Sequence, residues 1–430
     1  MGEPFARTMA IVNDLLKPMS VFLKENPLPP YEDYALLMSE ATQSNVDHYE
    51  DLASAMNDPA RKVALYEFGL VPQIFYAFDC APLCLETYPS FVTRVDMNMV
   101  YDFFDVAEEA GVPSDTCSTD RFIMGAALSG ELPTNSFFVT SSSPCDGTRI
   151  AYPIMHKLLE CPTLYLDAPF RYDKEAIRYY AGQLKNELIP FLEKNTGKKF
   201  DIDRFRETVE ESNRAYELML EIHDAYMAKP SPHPSSLKFL PYTSFITGAG
   251  NPRFTETMKF MRDDVARRLK EGRTQGPFEE KHRVIWVHVP PTYDRELFGW
   301  MEENLGAMVV VTSLSSTAIL EPIDTSTLDT MLEGVAWQGL DMTMSLMRFD
   351  TEKLIRFSFQ AYDQYSCDCM FVTQHVGCNS ILGARGLIRK RCRERDIPVL
   401  FIEFDYNDDR VLSPELMRNQ IEEFFTTVMA

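Results

Sequence analysis

Apolar residues along this chain fall into two kinds of run. Short, nearly unbroken stretches rich in β-branched and aromatic residues occur at Lys62–Tyr66, Ser136–Thr140, Pro162–Asp167, Arg283–Val289, Met308–Thr312, Met370–Thr373 and Val399–Ile402. Each stops at Pro, Gly or a small polar cluster, the pattern of strands buried on both faces of a parallel sheet. Between them the apolar spacing becomes helical: Asp96–Gly111, the segment behind Asp120, Thr148–Leu159, Pro252–Glu271, Leu328–Met347, Thr351–Gln364 and Ile381–Arg395. Asp173–Met227 is helical throughout, broken at Gly197 and restarted at Phe200-Asp201-Ile202-Asp203. Gln73–Ala81 is apolar and aromatic and fits either type. Residues 1–60 read as helical, with a break at Pro29–Tyr31.

Two stretches share one order of parts. Phe137–Asp167 and Phe371–Glu403 each carry Phe-Val-Thr, a cysteine, a small polar pair, a helix, a Pro and an apolar strand closed by an acid. They fit two related halves facing each other, and equally two ordinary βαβ units. The pattern predicts an α/β chain of two Rossmann/flavodoxin-like parallel-sheet domains with an intervening helical segment. The expected divisions are a helical arm over 1–60, a first α/β domain over 61–170, the helical segment over 171–280 and a second α/β domain over 281–430.

Composition narrows the function. The length of 430 residues suits two or three domains, and 45% hydrophobic with 25% charged residues is ordinary for a globular protein. A net charge of −22 argues against nucleic acid, whose backbone calls for clustered Lys and Arg. No apolar run reaches bilayer-spanning length, since Ala307–Leu320 is diluted by Ser and Thr. The first residues form an amphipathic pattern without the features of a signal peptide, and Met1-Gly2 lacks the Ser or Thr of a myristoylation site. The expectation is a cytoplasmic enzyme without membrane or nucleic-acid contact.

The candidate chemistry lies in cysteine. Nine occur, too few for a disulfide scaffold and without the paired CxxC of a zinc ribbon. Cys117, Cys145 and Cys378 each precede a helix, and the last two directly follow strands. Helix N-termini offer free N–H groups and the positive end of the dipole, which favours thiolates. Three thiolates without a fourth suit an iron–sulfur cluster with one open iron better than structural zinc. Spacing alone also admits three unrelated buried cysteines, the commoner case. Cys367 and Cys369 precede the strand that Cys378 follows, about 20 Å away in extended chain. Cys161 and Cys392 read as packing residues, and Cys80 and Cys84 stay open. His375, three residues before Cys378, is placed to donate a proton, or to bond a backbone carbonyl. Glu86 reads as a buried acid or an ordinary loop carboxylate. Neither a P-loop nor a dinucleotide fingerprint occurs, so any ATP used is hydrolysed by another chain.

The motifs Asp115-Thr116-Cys117, Ser143-Pro144-Cys145, Gly197-Lys198-Lys199-Phe200-Asp201-Ile202-Asp203-Arg204, Gly377-Cys378-Asn379-Ser380, Phe401-Ile402-Glu403 and Asp409-Arg410 resemble those of the 2-hydroxyacyl-CoA dehydratase / benzoyl-CoA reductase family. The likeness runs from about Val63 to the C-terminus and is nearest the larger, cluster-bearing benzoyl-CoA reductase subunits. It implies a 4Fe-4S cluster held by Cys117, Cys145 and Cys378, a CoA-thioester substrate, and a homologous smaller subunit in a heterodimer. It also implies electrons from an ATP-hydrolysing iron–sulfur activator that ferredoxin reduces. Electron transfer to the thioester carbonyl then leads to ring reduction or to loss of a hydroxyl. Dehydratase subunits of this kind carry a Ser-rich stretch where Leu65–Pro72 has no Ser, which favours the reductase outcome. A third branch bears a double-cubane 8Fe-9S cluster in a homodimer, for which only Cys80 and Cys84 are placed to add ligands.

Overall fold

The computed structural model describes residues 3–27, 32–143, 145–273, 278–314, 321–341 and 351–429. The break at Pro29–Tyr31, Pro144 and the end of the helix expected over Leu328–Met347 lie outside them. Among the described residues eight strands form two four-stranded parallel sheets. The first holds β1 (Val63–Tyr66), β2 (Ala81–Cys84), β3 (Ser136–Ser141) and β4 (Thr163–Leu166) in the order β2-β1-β3-β4. The second holds β5 (His282–Val287), β6 (Ala307–Thr312), β7 (Cys369–His375) and β8 (Val399–Phe404) in the order β6-β5-β7-β8. The two orders are the same, so the resemblance between the β3 and β7 stretches is one of equivalent positions in two sheets. The fold is α/β with two parallel-sheet units, as expected.

The strand that the apolar pattern missed is β2. Gln73–Ala77 is a short helix, and the chain then extends through Ala81-Pro82-Leu83-Cys84. Pro82 weakens any reading as a strand, yet β2 is an edge that pairs only with β1, where a missing N–H is tolerated.

Alternation along the strands sorts the core. Val63 and Leu65 of β1, Ala81 and Leu83 of β2, and Phe138 of β3 face one cluster, where Phe5, Val12, Leu16, Val46 and Leu52 of the N-terminal arm cover them. Ala64, Tyr66, Phe137 and Val139 face the opposite cluster, which runs on through Phe205, Val209 and Tyr216 to Trp286, Phe371 and Val372 of the second sheet. The long helix Ile202–Tyr226 supplies that middle ground. It starts where the Asp201 side chain accepts from the N–H groups of Asp203 and Arg204, after Gly197 (φ 71°) has ended the preceding helix.

The halves also touch through buried polar groups. The Arg121 guanidinium donates to Asp408 at 2.9 Å and to Glu108 at 2.6 Å, and lies 4.0 Å from the Phe104 ring centroid. Asn407, fully buried, donates to Ser118 and Thr119 and accepts from Thr93 and Thr292.

Candidate functional site

In each sheet the chain turns to opposite sides beyond the two central strands, which opens a crevice at their carboxyl ends. The crevices of the two halves share one cavity of about 490 Å³, and Cys117, Cys145 and Cys378 all line it. Each cysteine is the N-cap residue of its helix: Ser118–Leu128, Asp146–Leu159 and Asn379–Glu394. The three turns are pressed together by glycine. Gly377 has φ 84°, and a Cβ there would stand 2.7 Å from the Cys117 nitrogen and 2.9 Å from the Asp115 carbonyl. A Cβ on Gly147 would stand 2.4 Å from Asp120 Oδ2 and 3.7 Å from Cys117 Cβ. The Gly377 contact brings together residues more than two hundred positions apart, and the Gly147 contact joins two turns of the first half.

The three thiols are buried. Burial pushes all three thiols up, most strongly Cys117, where the charges of Asp120, Cys145 and Cys378 add to it. This corrects the expectation that helix N-termini would make thiolates of them. The N–H groups of Ile381 and Ser380 do favour a Cys378 thiolate, but desolvation outweighs them. Burial likewise drives His375 down to about 3, with the Arg121 charge assisting, so its imidazole is neutral. The backbone N–H of Tyr406 donates to His375 Nδ1 at 3.1 Å, which assigns the ring proton to Nε2. Nε2 lies 3.2 Å from Cys117 Sγ and donates to it. His375 thus faces a sulfur, where the sequence had also allowed a carbonyl.

Glu86 follows β2 and lines the same cavity, 8% exposed. Its carboxyl accepts from Tyr152 and from the Phe68 N–H at 3.0 Å, yet burial still raises it to about 7. Two lining residues escaped the sequence reading. Asp120, 1% exposed and raised to about 8 by burial and the Glu86 charge, has no hydrogen-bond partner for either oxygen among the described residues. It stands in Ser114–Asp120, a run of N-capping residue types, with nothing in the sequence to set it apart from them. His288, at the end of β5 in left-handed backbone (φ 75°), places Nε2 3.9 Å from Cys378 Sγ. Its one sequence signal is its place: it follows β5 as His375 ends β7, on the neighbouring strand.

The remaining cysteines stand apart. Cys367 and Cys369 lie at the far end of β7, Cys80 beside Asp79 and the charge of Lys198, and Cys84 behind Glu86. Cys392 is buried and Cys161 half-buried at helix ends, and none of these six lines the cavity.

Among the described residues no three His, Cys, Asp or Glu side chains enclose a site for a single metal ion. A four-iron cube sets a different demand, because its ligand sulfurs stand on a larger tetrahedron than one ion allows. Three cysteines from three turns, facing one cavity beside an unpartnered buried carboxylate, fit that demand. Away from the cysteines the cavity runs between the arm and the helical layer, past Met38, Tyr242 and Phe254, with Arg94 and Arg295 also on its wall. No helix among the described residues is long and apolar enough to cross a membrane.

The sequence model of the family described as "2-hydroxyglutaryl-CoA dehydratase, D-component" matches residues 71–428. A benzoyl-CoA reductase subunit of Thauera aromatica is 24% identical over 440 residues, spanning 94% of this chain and 96% of that one. The alpha subunit of (R)-2-hydroxyglutaryl-CoA dehydratase from Acidaminococcus fermentans is 27% identical over 163 residues, 37% of this chain and 34% of that one. The (R)-phenyllactyl-CoA dehydratase alpha subunit of Clostridium sporogenes is 24% identical over 232 residues, 47% of this chain and 57% of that one. The likeness to these dehydratase subunits thus covers less than two thirds of their length, whereas the likeness to the reductase subunit is end to end. With the family model spanning most of its length, the chain belongs to the 2-hydroxyglutaryl-CoA dehydratase, D-component family of enzymes, which takes in benzoyl-CoA reductase and 2-hydroxyacyl-CoA dehydratase subunits.

Proposed function

We propose that this chain is the iron–sulfur subunit of an ATP-coupled, low-potential acyl-CoA reductase of the benzoyl-CoA reductase type. Its substrate is an aryl-CoA thioester. A homologous smaller subunit completes a heterodimer, and an ATP-hydrolysing activator, reduced by ferredoxin, delivers electrons in the cytoplasm. The observation that carries this reading is the meeting of the Cys117, Cys145 and Cys378 turns at one cavity, held by Gly377 and Gly147. The end-to-end likeness to a benzoyl-CoA reductase subunit supports the same outcome.

A 4Fe-4S cluster bound by the three cysteines would supply single electrons of low potential to the thioester carbonyl. The protein's own residues do the rest. The apolar wall of Met38, Tyr242 and Phe254 takes the acyl and pantetheine parts and excludes water. Arg94 and Arg295 offer positive charge to an anionic ligand. His375 keeps a neutral N–H on the Cys117 sulfur, which stabilises negative charge there. Glu86, raised to about 7, holds a proton at the cavity wall near neutral pH and is suited to donate it to a reduced substrate.

Iron and sulfide analysis with electron paramagnetic resonance of anaerobically purified protein is the direct test. Metal-free protein with Cys117, Cys145 and Cys378 all freely alkylated would overturn the reading. Turnover of aryl-CoA against 2-hydroxyacyl-CoA thioesters, with activator, ATP and reductant, decides the outcome of electron transfer. Dehydration of a 2-hydroxyacyl-CoA is the second reading, favoured by the local likeness to dehydratase alpha subunits. A double-cubane cluster has less support, because Cys80 and Cys84 do not line the cavity.

A further inference from the structure

A buried carboxylate with no partner is costly, since desolvation is compensated neither by a cation nor by hydrogen bonds. Asp120 is such a group. It sits at the third position of the helix Ser118–Leu128, from which an acidic side chain commonly reaches back to the N–H of the N-cap residue. Here it does not, and both oxygens are buried without a partner among the described residues. The side chain instead reaches across to the Cys145 turn, against Gly147, where any larger residue would meet Oδ2. It lines the cavity together with the three cysteines. Its charge acts on Cys117, Cys145 and Cys378 alike.

We propose that Asp120 provides the fourth, oxygen ligand to an iron–sulfur cluster whose other three ligands are Cys117, Cys145 and Cys378. The assignment rests on the cluster proposed above and says which of its irons differs from the rest. An iron held by one carboxylate oxygen and no thiolate is the position at which a thioester carbonyl oxygen could exchange in, with Asp120 released and no change in electron count. The three cysteines leave one corner of the cube without a protein donor, and Asp120 is a lining carboxylate with both oxygens unpartnered among the described residues, where His288 leaves only Nδ1 so.

The test uses the full chain, loaded anaerobically with 57Fe and sulfide, as wild type, Asp120→Asn and Asp120→Cys. Electron–nuclear double resonance on wild type carrying 13C-carboxyl aspartate should show a 13C coupling to the reduced cluster, and Asp120→Asn should abolish it. Mössbauer spectra should resolve one distinct iron in the wild type and four alike in Asp120→Cys. Asp120→Asn should lose one iron to a chelator about tenfold faster or more, a lower bound set by losses seen for residues that merely support metal ligands. A labelled wild type that loads fully but shows no 13C coupling overturns the assignment of Asp120 and leaves the cluster standing, with no variant needed. A wild type that binds no iron overturns the cluster itself and this ligand with it.

Discussion

Glu86 and Gly377 show how single residues set the terms of the site. A carboxyl held to about 7 in the folded chain, against an ordinary value near 4.3, binds more protons folded than unfolded between those limits. Its contribution to stability is therefore fully present below about pH 4.3 and is lost as pH rises through about 7. Glu86→Gln keeps the volume and removes the titration, so the wild type should lose stability relative to this variant between pH 5 and pH 8. Urea midpoints of both proteins at the two pH values measure it, and an unchanged gap would contradict the account. At Gly377 a methyl group would meet the Cys117 backbone at 2.7 Å in a left-handed conformation that strains any other residue. Gly377→Ala should cost roughly 1–3 kcal/mol in chemical denaturation and lower the iron taken up on reconstitution. At this scale the cysteines were legible because capping residues, Pro and Gly mark helix starts. Asp120 and His288 were not, because an acid among capping residues and a His at a strand end carry no sign of which neighbouring turn they meet.

The elements were legible in proportion to how far their burial is local. Strands β3, β5 and β7 are continuous apolar runs because both of their faces are covered, whereas β8 at the sheet edge is apolar but half-buried over Val399–Phe401, and the Ile202–Tyr226 helix announces itself by Gly197 and Asp201. The edge strand β2 did not, since four residues with a Pro and a terminal Cys have too little pattern of their own and depend on pairing with β1. The N-terminal arm was visible as a helix but not as the cover of the first sheet. Its Leu52, fully buried among the residues that face Val63, Leu65 and Leu83, belongs to that cover and lies away from the cavity. Leu52→Ala should cost about 2–5 kcal/mol, seen as a lower melting temperature in calorimetry, with iron uptake unchanged. A loss of iron uptake in a variant that is still folded would mean that the arm acts on the site as well.

Across the whole molecule, the two halves are joined at the site's own margin. Arg121 comes from the helix that Cys117 begins, and Asp408 from the segment beyond β8, and both are nearly inaccessible. Asp408 keeps Arg410 at 2.7 Å on both oxygens when Arg121 is removed, so Arg121→Met should destabilise the chain by about 1.5–3 kcal/mol in urea titration, the worth of a hydrogen bond to a charged group. The same plan gives the cysteines a second meaning. Two of them come from the first half and one from the second, and Cys117 and His375, already in contact, are 258 residues apart in sequence. A cluster bound there would act as a cross-link, closing a very long loop in the way a disulfide does and restricting the unfolded chain. Loading should then raise the melting temperature of the whole chain in a single transition. Oxidative loss of the cluster would remove more than an electron carrier: it would cut a tie between distant segments and leave the halves held by Arg121, Asn407 and their shared core.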